Sequence, residues 1–235
     1  MGLAGCVLLG PLCWGQETQE NKTPRTVRDA LQAFNDLIGK WKGTGVPAGS
    51  REEQQKGFWT ESISWQWQFK GKDTWLRADF AGGKHFKSGE LRYLPESDQF
   101  QFTLQSAGKV AKDAKDKQVF TGKLEKRVLT LQRKVDGATQ RLVVSLLHAN
   151  RHLYRLESKA AGKNLFSRHY QVGATKEGVA FAGGDGSPEC IVSGGRGTIA
   201  VAFKGQSYYV CCSGCQDEFL ANPEKYIRER KKAKD

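Results

Sequence analysis

Between residues 58 and 182 the chain repeats one pattern, in which short segments of alternating apolar and polar residues are separated by turn sequences. In ISWQWQF at 63–69, for example, every second side chain is apolar. Such alternation is typical of a strand with one face in the core and the other in solvent. Sequences such as KGKD at 70–73 and PESD at 95–98 favour turns between the strands. The pattern predicts strands at 58–69, 74–80, 88–94, 99–105, 118–124, 127–134, 140–148, 151–158, 165–172 and 178–182.

One helical segment precedes these strands. Thr23 and Pro24 suit the N-cap and the first helical position, apolar residues then recur at near-helical spacing, and Gly39 ends the segment. Short strands joined by turns predict a mainly β fold, and an antiparallel up-and-down barrel closes such a sheet most simply. Because 38% of residues are hydrophobic and 26% are charged, the composition excludes a disordered or multi-span membrane chain.

The segment LIGKWKGTG at 37–45 resembles the opening of calycin barrels, the group of lipocalins and nitrobindin-like proteins. In that group a Gly-x-Trp motif lies on the first strand and closes one end of the barrel, and Gly39-Lys40-Trp41 matches the motif here. The resemblance implies a calycin-like barrel over residues 24–183. Barrels of this size can enclose one small ligand.

The interior of the predicted barrel has two open interpretations. Trp41, Trp65 and Trp67 either line a cavity for a small apolar ligand or simply fill the core. His169, in the predicted strand 165–172, is the best histidine candidate, because nitrobindin-like barrels bind haem through a histidine. A lone histidine in a strand is more often a hydrogen-bonded structural group, so we do not expect haem.

Four cysteines lie close together in the last part of the chain, after the linker-like sequence GGDGSPE at 183–189. They are Cys190, Cys211, Cys212 and Cys215. Two short strands, 198–203 and 207–210, with a hairpin turn at 204–206, would bring the first cysteine to the others. A helix is predicted from 216 to 231, which Pro223 would end or kink. Thiolates this close suit a soft or borderline metal, Zn²⁺ or Cu⁺.

Several short motifs around these cysteines resemble the YHS domain, a small TRASH-like cysteine module associated with metal handling. They are CIVSG at 190–194, FKGQSYYVC at 203–211, the C-x₃-C spacing that ends at Cys215, and FLANPEKY at 219–226. The resemblance covers about the last fifty residues, within the predicted unit 184–235. It implies a small α+β, treble-clef-like module that binds Zn or Cu through Cys190, Cys211 and Cys215, with Cys212 as a fourth candidate ligand.

Other roles for the cysteines stay open. They could form a disulfide in an oxidising compartment, or pack as small apolar groups. The vicinal thiols Cys211 and Cys212 could instead have a redox or catalytic role. No Gly-x-Ser-x-Gly, His-Glu-x-x-His or phosphate-binding loop is present, so we expect a binding protein and no enzyme.

Residues 1–15, MGLAGCVLLGPLCWG, carry no charged side chain and are mostly apolar. The run is too short to span a bilayer and fits the apolar region of a signal peptide, followed by a polar leader at 16–23. We therefore expect a periplasmic or secreted protein. A lipoprotein anchored at Cys6 is the less favoured alternative, because the apolar stretch follows that cysteine and does not precede it.

The net charge of +12 is spread along the chain. Such a distribution favours a solvated basic surface over a nucleic-acid interface, so no nucleic-acid partner is expected. A weak contact between the basic C-terminal tail, residues 228–234, and an anionic surface remains open.

Overall fold

The computed structural model describes residues 26–108, 117–178 and 187–232. Ten antiparallel strands form a closed barrel in which each strand pairs with its neighbours along the chain and β1 pairs with β10. This arrangement confirms the predicted mainly β, up-and-down barrel. The strands are β1 (Gly39–Pro47), β2 (Trp59–Lys70), β3 (Asp73–Ala81), β4 (Phe86–Leu94), β5 (Gln99–Ser106), β6 (Lys117–Glu125), β7 (Val128–Val135), β8 (Ala138–His148), β9 (Arg151–Lys159) and β10 (Ser167–Lys176).

The first nine predicted strands correspond to β2–β10, with shifts of a few residues at their ends. The largest shift is at β10, which continues to Lys176 because it pairs with β1 as far as Trp41. Of the predicted strand 178–182, Gly178 lies in a turn and the rest lies outside the described residues. The predicted signal peptide, the predicted polar leader and most of the linker-like sequence 183–189 also lie outside the described ranges.

The helix before the barrel is shorter than predicted. Helix α1 (Val27–Gln32) begins after Thr26, whose side chain accepts a hydrogen bond from the Asp29 N–H, while Thr23 and Pro24 lie outside the described residues. A separate 3₁₀ turn, Asn35–Leu37, follows before Gly39 begins β1. This tighter turn keeps three apolar side chains buried at the barrel end: Leu31, Phe34 and Leu37. A second short helix, α2 (Arg51–Gly57), connects β1 to β2.

Trp41 joins the first strand to this 3₁₀ turn. Its indole N–H donates a hydrogen bond of 2.7 Å to the Leu37 carbonyl, and its ring is fully buried. Edge contact with the His152 ring, at 4.4 Å between centroids, places both side chains in the same interior layer. Large aromatic side chains of this kind supply much of the apolar burial that stabilises the barrel.

The C-terminal region contains the predicted hairpin and two helices. Strands β11 (Ile199–Phe203) and β12 (Gln206–Val210) pair through a turn in which Lys204 and Gly205 both have positive φ, as type I′ turns require. The predicted helix 216–231 is divided into α3 (Ser213–Ala221) and α4 (Pro223–Lys232). Pro223 is the first residue of α4, where its missing N–H costs no hydrogen bond.

Helix α3 packs directly on the barrel. Strand β1 pairs with β2 only as far as Trp65, so the next part of β2 is open on that side, and α3 lies there. A side chain at Gly214 would place its Cβ 1.8 Å from the Trp67 carbonyl oxygen, so only glycine allows this approach. None of the helices in the described ranges combines the length and the apolar composition needed to cross a membrane.

Candidate metal centre

Three short segments position the cysteines. Cys190 lies in a tight loop, in which its N–H donates to the Gly195 carbonyl at 2.6 Å and its own carbonyl accepts from Gly194 at 2.9 Å. Cys211 directly follows β12, and Cys215 lies in the first turn of α3. The hairpin therefore returns the chain to the loop, as the spacing predicted.

The sulfurs of Cys190, Cys211 and Cys215 all lie within 4.8 Å of one another. Tetrahedral coordination with Zn–S bonds of about 2.3 Å separates neighbouring sulfurs by about 3.8 Å, so the three side chains could bind one ion with small adjustments. Within the described ranges this is the one group of three or more His, Cys, Asp or Glu side chains with such proximity.

Cys212 stands apart from this group. Its sulfur is 3.8 Å from that of Cys211, but it does not belong to the set in which all sulfurs lie within 4.8 Å. The residue is the N-cap of α3 and has an extended backbone, and its sulfur lies at the edge of the group, beside Cys211. The structure thus brings together three of the four predicted ligands and leaves the fourth beside them.

The three cysteine sulfurs lie in a largely buried environment and form hydrogen bonds with one another. Cys190 and Cys215 are buried, and Cys211 is half-buried. Hydrogen bonds from the Cys211 and Cys215 thiols hold the pKa of Cys190 far below its ordinary value. Burial raises the pKa of Cys215 far above the ordinary value. A bound cation would displace the thiol protons, because metals bind the thiolate form.

Ser193 is a site residue that the sequence analysis missed. It is fully buried, its N–H lies 3.5 Å from the Cys190 sulfur, and its hydroxyl oxygen lies 3.3 Å from the Cys211 sulfur. The side-chain amide of Asn35, at the end of the barrel, donates to the Ser193 carbonyl at 2.9 Å. A serine inside the segment CIVSG was visible in the sequence, but its partner lies 158 residues away and only the fold brings the two together.

The predicted ligand-binding tryptophans lie inside the barrel. Trp41, Trp65 and Trp67 are all buried, and a cavity among the interior side chains, lined in part by Trp65, is about 10 Å³. Such a volume is enough for about one water molecule. The three tryptophans thus belong to the packed interior of the barrel in this structure.

His169 lies on the outer face of the barrel and not in its interior. It is exposed and its ring contacts the Ser158 hydroxyl at 2.6 Å. Tyr170, Val172 and Ala174 face inward, so strand alternation directs His169 outward. The interior histidine is His152, whose pKa burial lowers to about 3, so its ring is neutral near pH 7.

A buried carboxylate inside the barrel was also missed. Glu61 accepts hydrogen bonds from the Tyr154 hydroxyl at 2.6 Å and from the Trp59 indole N–H at 2.9 Å. It lies two residues before Ile63 in β2, so its side chain is on the same, inward-facing side of the strand. The alternation pattern therefore contained the signal that places this acidic residue inside the barrel.

No protein-family model matches the chain, and no curated protein matches it. One similar solved structure is described as "Structure of EF1p2_mFAP2b bound to DFHBI". It is 10% identical in sequence, and the match covers 65% of this chain and 100% of that chain with a TM-score of 0.28. A likeness at this TM-score supports no statement about fold or function.

Proposed function

We propose that this chain is a metal-binding protein that holds one soft or borderline cation, Zn²⁺ or Cu⁺, through Cys190, Cys211 and Cys215. The observation that carries the proposal is the approach of three cysteine sulfurs to within 4.8 Å of one another. Thiolates are the ligands that these cations prefer. The sulfurs come from a loop, a strand end and a helix start, so the site depends on the fold of the whole C-terminal region.

The finer parts of the proposal extend the resemblances in the sequence. Residues 184–235 act as a YHS-like module, and the calycin-like barrel of residues 24–183 supports it. The protein is exported, is not an enzyme, and senses, buffers or delivers the metal.

The first experiment measures metal content and accessible thiols on the same sample, purified without chelator and without a metal-affinity step. About one Zn or Cu per chain, with thiols that react only after chelation, is the expected result. A sample without metal, whose thiols appear only after reduction, would instead identify a disulfide and overturn the proposal.

Single-cysteine variants then identify the ligands. Cys211→Ser and Cys215→Ser should each abolish stoichiometric metal binding, because two remaining sulfurs cannot enclose the ion. Cys212→Ser is the matched control, since it removes a neighbouring sulfur that lies outside the group of three. Undiminished metal in Cys211→Ser and Cys215→Ser would contradict the assignment, whereas loss in Cys212→Ser would extend the ligand set to four cysteines.

A further inference from the structure

We infer that Ser193 is a positioning residue of the metal centre: its hydroxyl donates a hydrogen bond to the Cys211 thiolate, and the barrel residues Asn35 and Trp67 hold it in place. This inference rests on the proposed metal-binding function and extends it. The barrel then supplies part of the site, although none of the proposed ligands belongs to the barrel.

The contacts of the Ser193 hydroxyl allow it to donate a hydrogen bond to the Cys211 sulfur. The Gly195 N–H approaches the hydroxyl oxygen at 3.5 Å and can only donate, so that contact uses the oxygen as an acceptor. The single hydroxyl proton is then available for the Cys211 sulfur at 3.3 Å. A metal-bound thiolate carries no proton, so Ser193 must be the donor in the metal-bound state.

The backbone of Ser193 contributes a second contact to the centre. Its N–H points to the Cys190 sulfur at 3.5 Å, so one residue contacts two of the three proposed ligands. Ser193 is fully buried, so these contacts are shielded from bulk solvent. A small displacement of Ser193 would therefore change the surroundings of both sulfurs.

The barrel fixes Ser193 through Asn35. The indole N–H of Trp67 donates to the Asn35 side-chain oxygen at 3.1 Å, and an indole nitrogen can only donate. The amide nitrogen of Asn35 must then face the other way, where it donates to the Ser193 carbonyl at 2.9 Å. The contact of Trp67 with Gly214 fixes the start of α3 at the same place, so the loop and the helix are located by one barrel residue.

Hydrogen bonds to metal ligands orient them and tune their basicity, and their loss typically weakens metal binding by about 10- to 100-fold. The test uses the full chain, freed of metal and titrated with Co²⁺ as the probe. Ser193→Ala should still bind about one Co²⁺, with an affinity about 10- to 100-fold lower. Its thiolate-to-cobalt charge-transfer band should shift to lower energy, because the sulfur lone pairs lose a hydrogen bond.

Ser213→Ala is the matched control, since the Ser213 hydroxyl lies near the cysteines but donates to Gln66 at 3.2 Å. It should keep the wild-type affinity and band position. Thermal unfolding of the metal-free variants checks that each one folds. If Ser193→Ala does not fold, Asn35→Ala provides the same test, with a smaller loss of affinity and a shift of the band in the same direction.

A double-variant cycle separates positioning from two independent effects. Asn35→Ala should weaken Co²⁺ binding in the wild-type background and weaken it less in the Ser193→Ala background, because the part of its effect that acts through the Ser193 hydroxyl is already lost there. Wild-type affinity and band position in Ser193→Ala, or fully additive losses in the cycle, would overturn the inference. Failure of the wild-type chain to bind Co²⁺, Zn²⁺ or Cu⁺ is a different result, since it would overturn the proposed function itself.

Discussion

The barrel and the cysteine region are stabilised by different means. The barrel closes its sheet through ten paired strands and buries large aromatic side chains from almost every one of them. The cysteine region has one two-stranded sheet and two short helices, and a two-stranded sheet is at best marginally stable alone. A region of this size ordinarily needs a metal, a disulfide or a docking partner. Here the barrel surface provides such a docking partner, and the proposed metal would add to it.

This difference separates the roles of the two regions. A cavity among the interior side chains of the barrel is about 10 Å³, and the large side chains around it contribute apolar burial to stability. In the cysteine region, several of the buried side chains are cysteines, namely Cys190, Cys212 and Cys215. Changes in the barrel should therefore alter global stability, whereas changes at the contact between the regions should alter the metal centre first.

The largest effect on the free energy of unfolding is expected when a large aromatic side chain is removed from the barrel interior. Trp41→Ala removes a fully buried indole and its hydrogen bond to Leu37, and should lower the free energy of unfolding by about 3–5 kcal/mol. Urea unfolding followed by circular dichroism measures the loss, and Trp41→Phe should lose less. A loss below about 1 kcal/mol would show that this part of the interior is not closely packed.

Acid should weaken the barrel through His152. The unfolded chain binds a proton near pH 6.5, whereas burial lowers the pKa of folded His152 to about 3. Between these values the unfolded state binds more protons, so the free energy of unfolding falls as the pH decreases, by about 1.4 kcal/mol per pH unit. From pH 7 to pH 5, wild type should lose about 2 kcal/mol more than His152→Leu.

Urea unfolding at the two pH values measures this difference. His169→Leu, which changes an exposed histidine on the outer face, is the matched control and should keep the wild-type loss. Equal losses in wild type and His152→Leu would contradict a neutral, buried His152. The same acidification removes thiolate from the metal centre, so metal release must be followed separately from unfolding.

A smaller and more local effect is expected at the contact between the regions. Gly214→Ala places a methyl group 1.8 Å from the Trp67 carbonyl oxygen, so α3 must move away from β2. Overpacking of this kind costs about 1–3 kcal/mol. Hydrogen exchange should become faster in α3 while the barrel strands stay protected, and metal affinity should fall. Ser213→Ala is the neighbouring control, and uniform loss of protection in both regions would argue against separate stabilisation.

The strands of the barrel could be predicted from the sequence because alternation of apolar and polar residues is a local pattern. Strand alternation is a property of each segment, so the strands and even the inward parity of Glu61 could be read without long-range information. The same rule could have placed His169 outside, since its parity is opposite to that of Tyr170 and Val172. The early end of α1 was not predictable in this way, because burial of Leu37 against the barrel selects the 3₁₀ turn.

The metal centre was predictable only in part. Cysteine spacing and a hairpin between Cys190 and Cys211 indicated that the sulfurs would meet, because both are features of one short segment. Nothing in the sequence around Asn35 or Trp67 indicated that these residues would support the metal centre. Their contribution depends on the closed barrel, which brings the start of the described chain to the loop that contains Ser193.

The smallest effect is expected from the ion pair between α1 and α4. Arg28 donates to Glu229 at 3.0 Å, and both side chains keep about a third of their surface or more in solvent. Exposed pairs of this kind contribute about 0–1 kcal/mol and are screened by salt. Arg28→Met should therefore speed hydrogen exchange in α4 slightly at low salt and not at high salt, while Arg77→Met, which breaks a pair on the barrel surface, should leave α4 unchanged. A large loss of metal affinity in Arg28→Met would show that charge, and not the close approach of Gly214 and Asn35, holds the cysteine region on the barrel.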